Sequence, residues 1–240
     1  MSVTEISLLK LDVGGPRSSI LSMTTRTAAF LGALALAACS RKAAPIAVTD
    51  SISKAPASEW QIVPGRAGPV TTESSEAELR QRFGPTAVES TRIDIGEGET
   101  AVGVVLYPAD TLRRAELIWQ DSVNRRRPAR LVLRGTRTLW QLNRGITLGT
   151  NLQELERLNG RPFLLAGFGW DYAGVITDWK GGALDSALAG IKLYLDPGSA
   201  QYESKAYSQV LGDQDYSSSL PPMQQLNPRV ATIFVDFERR

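Results

Sequence analysis

The 240-residue chain has no histidine and one cysteine, Cys39. Acid–base chemistry must therefore fall to carboxylates, tyrosines, lysines or water. Ser-His-Asp and Cys-His nucleophiles, zinc sites built from His or Cys, and an internal disulfide are excluded on those counts. No metal and no cofactor is expected. Asp171 and Asp178 are the first carboxylates to weigh. Their separation of seven residues puts them on opposite faces of an unbroken strand. A glycosidase needs two carboxyl groups facing one cleft, roughly 5–9.5 Å apart, so this pair fits poorly. Glu97, Glu99 or Asp121 could supply a different partner, but turn and edge positions account for these carboxylates more simply, and Asp171 is placed to accept backbone amides after Trp170.

Three further groups could bind a ligand without transforming it. Gly96-Glu97-Gly98-Glu99 has neither the ligand spacing of a calcium loop nor the Gly-Lys-Ser/Thr of a phosphate loop, and reads as a hairpin turn. Arg125-Arg126-Arg127, placed by the sequence in a loop, could fork onto phosphate, although a solvated loop explains the run as well. Trp119, Trp140, Trp170, Tyr172 and Trp179 fall near strand-like stretches. Trp170 and Tyr172 share one face of such a strand and Trp179 takes the other. Exposed, they form a binding patch with the three arginines; turned toward helices, they are core. The net charge of +2 supplies no footprint for nucleic acid.

Cys39 points elsewhere. Residues 27–38 (TAAFLGALALAA) form an apolar run of signal-peptide length, too short to cross a bilayer, with Arg26 before it. The run ends in Leu36-Ala37-Ala38-Cys39-Ser40, which resembles the lipobox of bacterial lipoproteins. The resemblance implies cleavage before Cys39, a diacylglycerol thioether on its sulfur and acylation of the new amino group. It also implies a membrane anchor without a membrane span, at ~0.8 kcal/mol per buried CH₂. Ser40, in place of a retention aspartate, implies the outer membrane, facing the periplasm. Residues 1–22 are too long and mixed for a signal n-region, and Met23 opens a compact signal, so 1–22 reads as an extension upstream of the true start.

The elements that must hold these side chains follow. Residues 40–57 are rich in Ala, Ser and Pro and read as a tether with a reach of roughly 20–25 Å. A globular domain over 58–240 begins near Glu59-Trp60. Two helices are marked by an N-cap followed three residues later by glutamate, Ser75…Glu78 and Asn151…Glu154, and by Gly84 and Gly160 beyond their ends. Strand patterns cover 86–95, 101–107, 114–120, 129–134, 163–168, 172–179, 188–195 and 229–237. The stretch 200–226 is polar and reads as loop around a short helix. The shared helix-then-strands order makes 58–128 and 129–199 candidates for related units.

GITLGTNLQELERLNGRPF followed by WDYAGVITDW resembles the small envelope lipoproteins and inhibitors of the β-lactamase-inhibitor-like fold, through Gly145, Thr147, Leu155, Leu158, Gly160, Pro162, Trp170 and Tyr172. The resemblance implies a short helix leading into an antiparallel sheet with aromatic strands. The whole also resembles envelope lipoproteins without an assigned activity. The expectation is an α+β fold, an antiparallel sheet with short helices on one face. Its role is non-catalytic binding or assembly at the cell envelope, with another envelope protein or a cell-wall component as partner. A carboxylate-dependent hydrolase of cell-wall glycans and a purely structural subunit are the rivals.

Overall fold

The computed structural model describes residues 59–237. The apolar run 27–38, Cys39 and the tether 40–57 lie outside the described residues. Short strands β1 (Ile62–Val63), β2 (Arg66–Ala67) and β3 (Val70–Thr71) open the domain as a small antiparallel sheet, followed by helix α1 (Glu76–Phe83). Then come β4 (Val88–Gly96), β5 (Glu99–Leu106), β6 (Ala115–Asp121) and β7 (Arg126–Arg134), an up-and-down meander. Helix α2 (Leu152–Asn159) leads into β8 (Leu164–Ala166) and β9 (Ile176–Asp178), and α3 (Ala183–Ala187) into β10 (Ile191–Asp196). The chain ends through α4 (Lys205–Ser208), β11 (Asp215–Ser217), α5 (Pro221–Leu226) and β12 (Arg229–Asp236).

The main sheet has six antiparallel strands in the order β10-β12-β7-β6-β5-β4, and a three-stranded sheet is ordered β11-β8-β9. The fold is therefore α+β. The five α-helices of the described residues lie on one side, because Leu79, Leu152, Leu155, Leu184, Ala206, Met223 and Leu226 join the same buried core as Leu117, Leu131, Leu133, Ile233 and Val235 of the sheet. Strand alternation sends the intervening residues to the other side. There Ile93, Val105, Ile118 and Val132 form a second apolar cluster, flanked by Ala101 and Phe234 and containing no helical residue.

The caps place both early helices as read. The Ser75 hydroxyl accepts from the Glu78 amide while the Glu78 carboxylate accepts from the Ser75 amide, a complete capping box. Asn151 Oδ1 accepts from the Glu154 amide at 2.8 Å, but Glu154 turns to Arg157 instead of back to the cap. Beyond their helices the two halves part. The four strands after α1 all enter the main sheet, whereas β8, β9 and β11 enter the small one and β10 and β12 return to the main sheet.

Several expectations need correction. The stretch 172–179 is not one strand. The chain turns at Trp170–Val175, with Ala173 donating to the Trp170 carbonyl and Val175 to that of Tyr172, and only Ile176–Asp178 pairs. Gly174 makes this possible, with φ +68 and the Leu195 carbonyl where a Cβ would sit. The opposite-face argument for Asp171 and Asp178, and the same-face argument for Trp170 and Tyr172, therefore lose their strand. Strand β10 starts at Ile191, after a helix that 188–195 did not announce. The arginine run is only partly loop, since Arg126 and Arg127 open β7. The stretch 200–226 holds two helices and a strand.

Candidate functional site

The turn Gly96–Glu99 is the hairpin expected from its sequence. Glu97 and Gly98 both have positive φ, 55° and 75°, as a two-residue turn matched to strand twist requires. The strands leading to this turn stay paired with each other out to Gly96 and Glu99, while β5 pairs with β6 only from Gly103 to Leu106. At Gly103 of β5 the backbone is so crowded that a Cβ would lie 2.7 Å from Ile93 Cγ1 and closer still to the Leu117 carbonyl. Beyond that point the arm Asp94–Glu99 reaches across the helix-free face. Arg134 Nη2, on β7, donates to the Asp94 carbonyl at 3.5 Å, and the Tyr172 hydroxyl donates to the Glu97 carboxylate at 3.3 Å.

Two cavities flank the arm, and Ile95 lines both. One of about 560 Å³ lies between the arm and the ends of β10 and β12, with Tyr172, Tyr194 and Phe234 as its aromatic walls. Five acidic residues line it, Asp94, Glu97, Glu99, Asp171 and Asp196, with Arg134 as the one basic residue. The other, about 950 Å³, is walled by Ala101, Ile118, Ala129 and Phe237, with the Pro64–Gly65 turn at its edge. Both sizes fall in the range of ligand pockets.

The side chains around them are already ordered. Tyr194 packs on Phe234 with ring centroids 5.0 Å apart, and Arg130 and Arg134 sit over the Phe234 ring at 5.0 and 5.7 Å. Arg130 pairs with Asp236 at 2.6 Å and Arg134 with Glu116 at 3.3 Å. Burial pushes the Tyr194 phenol above its ordinary value. A hydrogen bond to Asp196 does the same for Tyr202. Ile95 is 51% and Tyr172 48% exposed, so apolar and aromatic surface stands free at the cleft.

The residues proposed for one patch are distributed over three places. Tyr172 lines the cleft, with Trp170 against it in an edge-on contact at 5.4 Å. Trp170 is half-buried, its indole N–H bonded to the Gly167 carbonyl. Trp179 belongs to the helix-side core, against Phe163 at 5.0 Å. Trp119 and Trp140 are buried in the same core. Arg125, Arg126 and Arg127 lie away from both cavities. Arg125 reaches Glu76 and Ser90 at 3.4 and 3.3 Å, and Arg126 pairs with Asp121 at 2.9 Å. Arg127 uses its backbone N–H on the Ser74 carbonyl, and its side chain makes no ion pair among the described residues.

Arg125 belongs to a network centred on Glu76, whose carboxylate also accepts from Arg80 Nε at 2.9 Å and the Ser90 hydroxyl at 2.6 Å. Burial raises this carboxyl, but Ser90, Arg80 and Arg125 outweigh it and hold the group below its ordinary range. The Asn124 amide and Arg126 likewise hold Asp121 down, the Lys180 amide holds Asp178 down, and guanidiniums hold Asp110 and Glu154 down. Groups held ionised are poor proton donors at neutral pH. Asp121 and Asp178, so held, also stand outside both cavities. Among the described residues no cluster of three or more His, Cys, Asp or Glu could hold a metal ion. No helix among them is long and apolar enough to cross a membrane.

Sequence reasoning missed Ile95, Tyr194, Phe234 and Arg134. The available signal was Ile95 itself, an apolar residue beside a polar turn with no helix to cover it. No family model matches the chain, and no curated protein and no solved structure does either.

Proposed function

We propose that this chain is a lipid-anchored cell-envelope protein that acts by binding, with Cys39 carrying the lipid and the helix-free face of the sheet receiving the partner. The lipobox at Leu36–Cys39 supports the anchor. One observation carries the binding surface: on the sheet face that no helix among the described residues covers, Ile95 and Tyr172 stand exposed above the buried apolar cluster, and Ile95 separates an aromatic-walled cavity from a second, largely aliphatic one. Exposed apolar area rimmed by polar groups is what an interaction site presents. The partner in this reading is another envelope protein or a cell-wall component, met where the tether places the domain.

The test is a crosslinked pull-down of the full-length chain from its own envelope, run beside Cys39→Ala, Tyr172→Ala and Ile95→Ser. The reading predicts partners that are lost with Cys39→Ala and depleted by either cleft substitution. A partner set indifferent to Tyr172 and Ile95 overturns the binding face. Release of reducing ends from cell-wall glycan by the purified chain overturns the non-catalytic reading, in favour of a hydrolase using carboxylates of the cleft.

A further inference from the structure

We infer that the occupant of this cleft is an extended peptide segment bearing lysine or arginine at one end and apolar side chains at the other. The inference rests on the reading that the helix-free face binds a partner, and it specifies that partner's chemistry.

Charge argues for the cationic end. Five acidic residues line the cavity between the arm and β10, Asp94 and Asp196 with carboxylates that also accept from the Gly96 and Gly198 amides, and its one guanidinium, Arg134, is already engaged by Glu116, by the Asp94 carbonyl and by the Phe234 ring. Glu99 and Asp171 have no hydrogen-bond or ion-pair partner among the described residues. An anionic glycan or phosphate-rich surface would meet like charge here. A lysine or arginine would meet carboxylates for its head group. Its methylene stem would find Tyr172 and Tyr194, a pairing that aromatic rings favour through both packing and cation–π attraction.

The second cavity argues for the apolar end. Ile95, Ala101, Ile118, Ala129 and Phe237 give it apolar wall, and of its three charged residues Arg130 and Asp236 are paired with each other at 2.6 Å, while Lys192 adds a positive charge that would repel the cationic end of the occupant. Because Ile95 borders both cavities, one occupant passing the arm would place cationic residues on one side of it and apolar residues on the other. An extended backbone is the shape that fits two pockets in line across strands, with side chains alternating between wall and solvent.

The probe is a fluorescein-labelled nonapeptide with two lysines followed by two leucines, spaced by alanine, and a counterpart with glutamate for lysine. Each is titrated by fluorescence anisotropy into the full-length chain, purified with Cys39 intact in a neutral detergent. The lysine peptide is expected to bind and the glutamate peptide not to, with affinity falling as sodium chloride rises. The double variant Glu99→Gln, Asp171→Asn should weaken binding by about fivefold, the loss of two exposed attractions, at an unchanged melting temperature. Equal binding of the two peptides, no binding of the lysine peptide, or indifference to the double variant overturns the inference. If the lysine peptide fails while Tyr172→Ala still depletes envelope partners in the pull-down, the cationic-peptide assignment falls and the binding face stands.

Discussion

Glu76 offers the sharpest test of what the arginine run is for. Its side chain is 9% exposed and accepts hydrogen bonds from Arg80, Ser90 and Arg125, joining α1 to β4 and to the turn before β7. Glu76→Gln keeps the shape but presents an amide N–H₂ to groups that are all donors. Leaving buried donors without an acceptor costs about 1–3 kcal/mol. Arg80 and Arg125 are 34% and 49% exposed and can turn to water, so a value of about 2 kcal/mol follows after discounting for screening. For a domain of this size that lowers the melting temperature by roughly 4–8 °C. The sign with pH is fixed. The folded pKa of Glu76 lies below its unfolded value, so its stabilisation is complete above the ordinary glutamate value of about 4.3 and fades as pH falls through the folded value. Melting curves of both proteins should therefore differ at pH 7 and converge as the solution is acidified below about pH 4. An equal melting temperature at pH 7, or a difference that persists undiminished at low pH, would refute the network and return Arg125 to the solvated surface.

Three further outcomes follow from the geometry. Gly103→Ala forces a methyl against the Leu117 carbonyl and Ile93; thermal unfolding should show a loss of about 1–3 kcal/mol or more, with faster hydrogen exchange in the arm 93–99. Tyr172→Phe removes one exposed hydrogen bond to Glu97 and should shift the melting temperature by no more than about 2 °C, while amides of Glu97–Glu99 exchange faster. Intact-mass measurement of membrane-fraction protein should find Cys39 as a new N-terminus carrying diacylglycerol and an amide-linked acyl chain, and Cys39→Ala should leave the membrane fraction.

Local signals in the sequence reached the elements with local causes. Ser75 with Glu78, Asn151, and the glycines at 84 and 160 bracket their helices through bonds that span three or four residues. The Gly-Glu-Gly-Glu turn is set by backbone conformation alone. The meander from β4 to β7 alternates clearly enough to be read strand by strand. What failed depended on distant contacts. Trp170–Val175 has strand-like composition, yet Gly174 lies against the Leu195 carbonyl, which bends the chain there. Arg125 looks like loop charge until Glu76, 49 residues earlier, comes beside it. The helix-free face was hardest to see. Val104, Val105 and Leu106 are all buried, so alternation in the central strands cannot say which side a helix covers. Ile95, Tyr194 and Phe234 come together only through the sheet order and the turn of the arm.

The central claim is that the helix-free face is where this protein meets its partner, and site-specific photo-crosslinking tests it most directly. A photoreactive side chain is placed at Ile95, 51% exposed on the arm, or at Leu220, 37% exposed at the start of α5 on the helix side. Both positions are comparably accessible, so accessibility alone predicts similar labelling. With the full-length chain in its own envelope, a discrete adduct at Ile95 and none at Leu220 is the predicted result. An adduct at Leu220 without one at Ile95, or no adduct at either, would contradict it.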